Sequence, residues 1–243
     1  FEAPLNNIND VKKLNPNNIA EKLDYVANAI IETKSKLNNE VPLIGFSGSP
    51  WTLSTYMVEG CATKDFRKIR SAVFNDSGMI KNLIDKLIIS ITDYLVMQAK
   101  AGADVLMIFD SWGGLVKEDY NEFSLQYVNK ITDAFEKEFP IILYARGMKI
   151  KPYINESSAK IFNLNTEDKI SEYIDENISI QGNLNPTIFH EDDSYLKDLA
   201  ADIFKKYADK KNYICNLGSG LTPDIDPAKV GLFLDELRFL NSK

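Results

Sequence analysis

The stretch VPLIGFSGSPWTLSTYMVEG, residues 41–60, decides the predicted fold. Its first part, VPLIGF at 41–46, is a short and continuous apolar run, which is the pattern of a strand buried on both faces. The part that follows holds serines, glycines, a tryptophan, a tyrosine and a glutamate. It is too polar for a core and too aromatic for an ordinary connection. We therefore predict a buried strand that runs into an unusual loop.

Five further apolar runs of the same kind recur along the chain. They are DVLMIF (104–109), PIILYA (140–145), KIFNL (160–164), ISIQGN (178–183) and NYICNL (212–217). Helical patterns lie between the runs. The strongest is 78–100, where Ile and Leu recur at three- and four-residue steps, with Asp76 and Ser77 before it as candidate caps. Shorter patterns occupy 18–37, 120–138, 167–176, 193–208 and 226–240.

Strands that alternate with helices predict an α/β fold with parallel strands and right-handed crossovers. Either an open, doubly wound sheet or a closed barrel fits this order. Polar and glycine residues follow nearly every predicted strand, which favours a (β/α)8 TIM barrel, because all strands of a barrel end at one mouth. A barrel of this type needs eight strands, and about six are visible. We predict a single (β/α) barrel domain over 1–243, shortened at its N-terminus.

Composition excludes several classes of function. The 243 residues carry a net charge of −7, which argues against broad binding of nucleic acid. The apolar stretches are too interrupted to span a membrane, and no secretory signal is visible. Cys61 and Cys215 are far apart in sequence, so free thiols in a reducing cytoplasm are the simplest expectation. One histidine, His190, is too few for a His-rich metal site.

Five residues are candidates for a site at the strand ends. Asp110 and Ser111 follow a buried strand, so we expect both side chains at the mouth, where acid–base chemistry competes with a plain capping role. Tyr56 is either a polar site residue or a half-buried aromatic. Phe46 and Phe109 end their strands, either as core or as an apolar platform under a ring-shaped ligand.

Other chemistries lack their motifs. Neither a dinucleotide fingerprint nor a Walker loop is present. GFSGS at 45–49 lacks the Gly-x-Ser-x-Gly pattern, and His190 lies in the acidic run HEDD, so a Ser-His-Asp triad is not expected. We predict that His190 is a helix-start or surface residue. Cys61 is expected to be an ordinary thiol, since no second metal ligand lies near it in sequence.

Four motifs in order identify a resemblance. GFSGSPWTLSTYMVEG, IFDSWGG, IQGNLNP and NLGSGLTPDIDP closely resemble the uroporphyrinogen decarboxylase family of heme biosynthesis, and the resemblance runs the whole chain. It implies a (β/α)8 barrel that is usually a homodimer. It also implies a reaction without cofactor or metal, which removes carbon dioxide from the four acetate side chains of uroporphyrinogen III and leaves coproporphyrinogen III. Protonation of a pyrrole carbon makes that ring an electron sink, and a nearby carboxylate stabilises the cation.

The resemblance also implies roles for single residues. Tyr56 matches the tyrosine that bonds the catalytic aspartate and lies near a substrate carboxylate. Ser111 matches a serine that contacts a substrate carboxylate. Phe46 and Phe109 match apolar residues that line the macrocycle pocket. The stretch at 45–60 is then a strand that runs into an active-site loop, which Trp51 and Glu59 shape.

The sequence departs from the family pattern at three places. Ser219 stands where the family has histidine, and we expect it to contact substrate carboxylates through its hydroxyl alone. Asn185 stands for the aspartate of Gly-Asn-Leu-Asp-Pro. Asn165 and Thr166 stand for the Asp-Trp after the sixth strand. Each Asp-to-Asn change removes a charge and keeps hydrogen-bonding capacity.

The family's first two strands carry the catalytic aspartate and the substrate-binding arginines, and their motifs do not occur in these 243 residues. We therefore expect the isolated chain to be a fragment without activity. A decayed product and a corrinoid methyltransferase of the same superfamily are the alternatives. The methyltransferases hold zinc with His and Cys, and no His-x-Cys is present. The expected partners are a tetrapyrrole and a second copy of the chain, with no nucleic acid and no membrane.

Overall fold

A computed structural model describes residues 3–135, 139–174 and 177–242. The chain divides into two compact units, Phe1–Lys160 and Ile161–Lys243. Each unit contains three parallel strands joined through helices, so the predicted α/β class is confirmed. The prediction of a single barrel domain over 1–243 stays a prediction.

The first unit is built on a parallel sheet in the order β1-β2-β3. Its strands are β1 (Ile44–Gly48), β2 (Val105–Asp110) and β3 (Ile141–Ala145). All residues of β3 are buried, as its continuous apolar run predicts. The register places Phe46 opposite Met107, and Phe109 opposite Tyr144. These strands confirm the first three apolar runs, each to within a few residues.

Seven α-helices accompany this sheet in the described part of the first unit. They are α1 (Ile8–Lys12), α2 (Ile19–Lys22), α3 (Asp24–Leu37), α4 (Pro50–Glu59), α5 (Arg67–Asn75), α6 (Ser77–Lys100) and α7 (Gln126–Asp133). The pattern over 18–37 is two helices, because Leu23 leaves the helical region between them. The pattern over 120–138 begins as a π-helix, Asn121–Leu125, before α7. Residues 136–138 lie outside the described residues.

Helix α6 confirms the strongest helical pattern of the sequence. The Asp76 side chain accepts a hydrogen bond from the backbone N–H of Met79 at 3.0 Å, so Asp76 is the cap and Ser77 is the first helical residue. One apolar face is buried, including Ile80, Leu83 and Ile84. Although α6 is long, neither it nor another helix of the described residues is apolar enough over a sufficient length to cross a membrane.

The expected loop after β1 is wrong, because residues 50–59 form helix α4. Ser49 caps it by accepting a hydrogen bond from the backbone N–H of Thr52 at 3.0 Å. Pro50 occupies the first turn, where a missing N–H has no cost. Gly60, at φ 88°, ends the helix. The polar residues of this stretch therefore begin a helix at the end of the strand.

The second unit has a parallel sheet in the order β4-β5-β6. Its strands are β4 (Ile161–Asn163), β5 (Ser179–Gln181) and β6 (Tyr213–Ile214). Its helices are α8 (Asp193–Tyr207) and α9 (Pro227–Asn241), as the patterns over 193–208 and 226–240 predict. The pattern over 167–176 gives only a 3-10 turn at Ile170–Glu172, and residues 175–176 lie outside the described residues.

Helices α8 and α9 pack on each other around a separate apolar core. Its buried members are Phe189, Leu196, Ala200, Ile203, Ile225 and Phe233. The rings of Phe189 and Phe233 meet edge to face with centroids 5.9 Å apart, a favourable aromatic geometry. The second unit therefore has its own core, against which Leu184 after β5 and Leu217 after β6 pack.

Candidate active site

An aromatic row crosses the three strands of the first unit. Phe46 on β1 meets Phe109 on β2 edge to face, with ring centroids 5.7 Å apart. Phe109 meets Tyr144 on β3 in the same way at 6.0 Å. The Phe46 residue is 58% exposed, whereas its neighbours Gly45 and Ser47 are buried. Tyr144 is buried and Phe109 is half-buried, so Phe46 is the exposed ring of this row, and its role as a platform stays a prediction.

Gln98 of α6 fixes the backbone of Phe46. Its amide oxygen accepts from the Phe46 N–H and its amide nitrogen donates to the Phe46 carbonyl, both at 2.9 Å. Leu43 and Ser49 make backbone hydrogen bonds toward β2. Backbone groups alternate in direction along a strand, so those of Phe46 point away from β2. The buried Gln98 thus pairs with the edge of β1 that faces away from β2, where the described residues supply no further strand, a contact that the sequence did not predict.

Tyr56 lies on α4 and is half-buried. Its ring meets that of Trp112 edge to face, with centroids 6.0 Å apart. Trp112 also contacts Phe66, at 4.4 Å between centroids. Ser111, which precedes Trp112 and follows β2, is half-buried too. The structure therefore brings the elements that carry Tyr56 and Ser111 together through Trp112, a residue that sequence reasoning did not select.

Asp110 is not at a mouth, contrary to the prediction, because its side chain is fully buried. Its Oδ1 accepts hydrogen bonds from the hydroxyls of Ser49 at 2.7 Å and Thr52 at 3.2 Å. Its Oδ2 accepts one from Ser124 at 2.7 Å. Burial raises the pKa of the Asp110 carboxyl, and the hydroxyls of Ser49, Ser124, Tyr120 and Thr52 oppose that shift. Asp110 therefore binds hydroxyl groups of neighbouring elements, and its burial leaves no path for a ligand to reach it.

Trp51 and Glu59 do shape this region, although they act on helices rather than a loop. The indole N–H of buried Trp51 donates to the carbonyl of Trp112 at 2.8 Å. The buried Glu59 carboxylate accepts from the backbone N–H of Ile69 at 3.0 Å, within the first turn of α5. It also accepts from the Thr63 hydroxyl at 3.2 Å. Glu59 thus holds the beginning of α5 against the end of α4.

Ser219 follows β6 in the second unit and is half-buried. The preceding Gly218 lies against Thr166, where an added Cβ would overlap the Thr166 backbone. The loop after β4 and the loop of Ser219 therefore meet within this unit, and glycine is required at their contact. Asn183 reinforces the loop after β4, since its amide donates to the carbonyls of Asn165 and Asp168, each at 2.6 Å.

The two Asp-to-Asn departures have structural roles. Asn185 caps the 3-10 helix Pro186–His190, because its side-chain oxygen accepts from the Thr187 N–H at 3.1 Å. Asn165 is buried, and its side-chain amide donates to the Asp168 carboxylate at 3.4 Å, a hydrogen bond that an ionised aspartate could not donate. An amide performs the capping of Asn185 as well as a carboxylate does.

The remaining sequence candidates lie at the surface. His190 is exposed at the end of a 3-10 helix, with Nε2 3.3 Å from an Asp224 oxygen, which confirms the surface prediction. Cys61 and Cys215 are exposed free thiols. Residues 3–135, 139–174 and 177–242 contain no group of three His, Cys, Asp or Glu side chains suited to a metal.

A groove of about 750 Å³ also lies in the first unit, apart from the predicted site residues. Its lining includes Trp51, Phe74, Leu115 and Lys117, and none of Phe46, Tyr56, Phe109 or Ser111. We assign the candidate site to the aromatic row and the Tyr56–Trp112 contact, since these hold the predicted residues. The groove carries acidic and basic side chains in mixture, which points to no ligand of defined charge.

A family model and similar known proteins point to the same family. The family description "Uroporphyrinogen decarboxylase (URO-D)" matches residues 1–239. The uroporphyrinogen decarboxylase of Pseudoalteromonas translucida is 39% identical over 100% of this chain and 72% of that protein. Those of Hydrogenovibrio crunogenus and Hahella chejuensis are 35% and 37% identical, covering 72% and 68% of their lengths.

Solved structures resemble the chain in fold. A methyltransferase from Methanosarcina mazei has a TM-score of 0.72 at 15% identity, over 89% of this chain and 64% of that one. A B12-independent methionine synthase from Shewanella sp. W3-18-1 has a TM-score of 0.56 at 11% identity, over 88% and 67%. At such identities the likeness concerns the fold, the predicted α/β barrel, of which the described residues contain six parallel strands.

Proposed function

The chain belongs to the uroporphyrinogen decarboxylase family, and we propose that it serves the removal of carbon dioxide from the four acetate side chains of uroporphyrinogen III, which leaves coproporphyrinogen III. The match over residues 1–239 carries this proposal. Relatives at 35–39% identity favour it over a corrinoid methyltransferase, since the methyltransferase likeness is at 15% identity and concerns the fold.

The aromatic row suits the apolar face of a tetrapyrrole. Phe46 and Phe109 offer ring surface on the strands, and Phe46 is well exposed in the chain alone. Covering an exposed aromatic ring with the apolar surface of the macrocycle removes both surfaces from water, which favours binding. We assign these two rings to the floor of the substrate pocket.

Tyr56 and Ser111 carry hydroxyl groups, and we assign both to the same substrate pocket. Both residues are half-buried, and their elements meet at Trp112. We assign Ser111 to a hydrogen bond with a substrate carboxylate. We assign to Tyr56 a hydrogen bond to the carboxylate that stabilises the protonated pyrrole, because a phenol donates well to an anion, and we expect a substrate carboxylate to lie near it.

We assign Ser219 a hydrogen bond to a further substrate carboxylate, on the evidence of its own loop. It is half-buried, and the Gly218–Thr166 contact fixes the loop that carries it. A serine hydroxyl can donate one hydrogen bond to a carboxylate and brings no charge. It therefore binds an anionic substrate less strongly than a protonated histidine would.

Two measurements on the purified chain test the proposal. Binding of uroporphyrin, the oxidised octacarboxylate, is followed by the anisotropy of its own fluorescence, with coproporphyrin as the tetracarboxylate comparison. Turnover of uroporphyrinogen III is followed by chromatography of the oxidised products. We expect saturable binding that prefers uroporphyrin, and coproporphyrinogen III as the product of any turnover. A chain that binds neither porphyrin would refute the assignment of the pocket.

We further propose a homodimer in the cytoplasm. The exposed free thiols Cys61 and Cys215 support a reducing compartment. The dimer is supported by the family resemblance, in which members are usually dimeric.

A further inference from the structure

Two elements that carry proposed site residues are joined by one buried carboxylate. Asp110 ends β2 and immediately precedes Ser111. Its Oδ1 accepts hydrogen bonds from Ser49 at 2.7 Å and Thr52 at 3.2 Å, which are the cap and a first-turn residue of α4. Thr52 lies one helical turn before Tyr56. The position of the Tyr56 helix relative to Ser111 therefore depends on this carboxylate.

Two more contacts join the same pair of elements. The Thr52 hydroxyl, which donates to Asp110, also accepts from the Trp112 N–H at 3.3 Å. The Trp51 indole N–H donates to the Trp112 carbonyl at 2.8 Å. Both sides of Ser111 in the chain are thus attached to the first turn of α4.

The second carboxylate oxygen of Asp110 contacts a different element. Its Oδ2 accepts from Ser124 at 2.7 Å, and Ser124 belongs to the π-helix Asn121–Leu125. That segment carries none of the proposed site residues. The Thr52 and Ser124 hydroxyls thus donate to different oxygens of the same carboxylate. The Thr52 contact lies on the helix of Tyr56, and the Ser124 contact does not.

We propose that Asp110 is a positioning residue, which holds Tyr56 and Ser111 in the mutual arrangement that binds the carboxylates of the tetrapyrrole. The inference rests on the proposed function of those two residues. Asp110 itself is fully buried, so we assign it no direct contact with the substrate. A carboxylate suits the task because each of its oxygens accepts more than one hydrogen bond in a fixed plane. Displacements of about 1 Å at a binding group cost up to about 100-fold in function, so such anchoring matters.

Matched variants at Thr52 and Ser124 test the proposal. Thr52→Val keeps the shape of the side chain and removes the hydroxyl on the α4 side. Ser124→Ala removes the hydroxyl on the other side. We expect Thr52→Val to weaken uroporphyrin binding about tenfold, and Ser124→Ala to change it by less than about twofold, at similar losses of thermal stability. Equal effects on binding would overturn the proposal and leave Asp110 a purely structural residue.

A spectroscopic arm needs no ligand. The contact between Tyr56 and Trp112 contributes to the near-ultraviolet circular dichroism spectrum. Its contribution is the part of the spectrum that changes in Tyr56→Phe. We expect Thr52→Val to alter it and Ser124→Ala to leave it unchanged. Because the Thr52 hydroxyl also accepts from the Trp112 N–H, the same signal is measured in a folded Asp110→Ala, where we expect it to change as well. If the wild-type chain binds no porphyrin, the proposed function fails, while the signals of Asp110→Ala and Thr52→Val together still decide whether Asp110 positions Tyr56. An unaltered signal in Thr52→Val overturns the inference.

Rescue by a conservative variant completes the test. Asp110→Asn keeps an acceptor for the α4 hydroxyls, and its amide can donate to Ser124 once that hydroxyl rotates. Asp110→Ala keeps neither. We expect Asp110→Asn to bind uroporphyrin within about threefold of wild type, and Asp110→Ala to bind about tenfold or more weakly. Should Asp110→Ala fail to fold, the Thr52 and Ser124 pair decides alone. Equal binding by wild type and a folded Asp110→Ala overturns the proposal.

Discussion

The Phe46 ring is more exposed than most aromatic side chains of the described residues. It is 58% exposed at the edge strand of the first unit, yet it keeps an ordered edge-to-face contact with Phe109. An exposed and ordered ring stabilises the fold little and is free to cover a ligand. We therefore expect the Phe46 ring to contribute to ligand binding more than to stability.

Phe46→Ala is therefore expected to weaken uroporphyrin binding about tenfold with little loss of stability, because the variant lacks the ring that the macrocycle covers. Phe74→Ala is the matched control, since Phe74 is 89% exposed and lies outside the aromatic row. Fluorescence anisotropy of uroporphyrin and thermal unfolding give the two readouts. If the two variants bind alike, the floor of the pocket is elsewhere.

Burial also sets the ionisation of Asp110. Its pKa in the folded chain is raised above 3.8, chiefly because burial disfavours the charged form. The folded state then holds more protons than the unfolded state between pH 3.8 and the folded pKa. The stabilising contribution of this group is thus lost as pH rises through that window. Neighbouring Tyr120 stays neutral there, since burial raises its pKa well above 10.

Asp110→Asn has no proton to lose at this position. Its free energy of unfolding is expected to lack the decline that Asp110 contributes to the wild-type chain as pH rises from about 4. The difference between the two proteins should grow in favour of the variant across the window and become constant above it. Urea unfolding at a series of pH values measures this. A constant difference at every pH would contradict a raised pKa.

At the scale of the element, the open edge of β1 depends on a side chain. Gln98 supplies both hydrogen bonds that another strand would give to Phe46. An added Cβ at Gly45 would lie 2.7 Å from the Gln98 oxygen, so glycine leaves room for this arrangement. An unpaired strand edge is a template for association with other chains, and Gln98 shields part of it.

Gln98→Ala is expected to reduce the free energy of unfolding by about 1–3 kcal/mol, because the Phe46 backbone loses both partners. It should also increase self-association at high concentration. Gln126→Ala is the control, since that exposed amide makes one hydrogen bond, to the Glu122 carbonyl. We expect the control to lie within about 0.5 kcal/mol of wild type. Denaturant unfolding and sedimentation show both effects, and equal stability of the two variants would contradict the shielding role.

For the whole molecule, the proposed homodimer predicts a particle of twice the 27.5 kDa chain mass. Size-exclusion chromatography with light scattering measures it directly. A mass that stays at one chain over a wide range of protein concentration would contradict the dimer. The net charge of −7 leaves no general attraction for nucleic acid, so we expect no retention on a polyanionic column.

The sequence by itself determined the alternation of strands and helices, the bounds of α6, and the family, because apolar periodicity and long motifs are local properties of the chain. It also held the signals for α4, with Ser49 and Pro50 at its beginning and Gly60 at its end, although polar composition made that stretch resemble a loop. Only the tertiary structure decided that Asp110 is buried and that Gln98 pairs with Phe46. Such contacts join residues more than fifty positions apart, and burial is set by what packs around a group rather than by its own type.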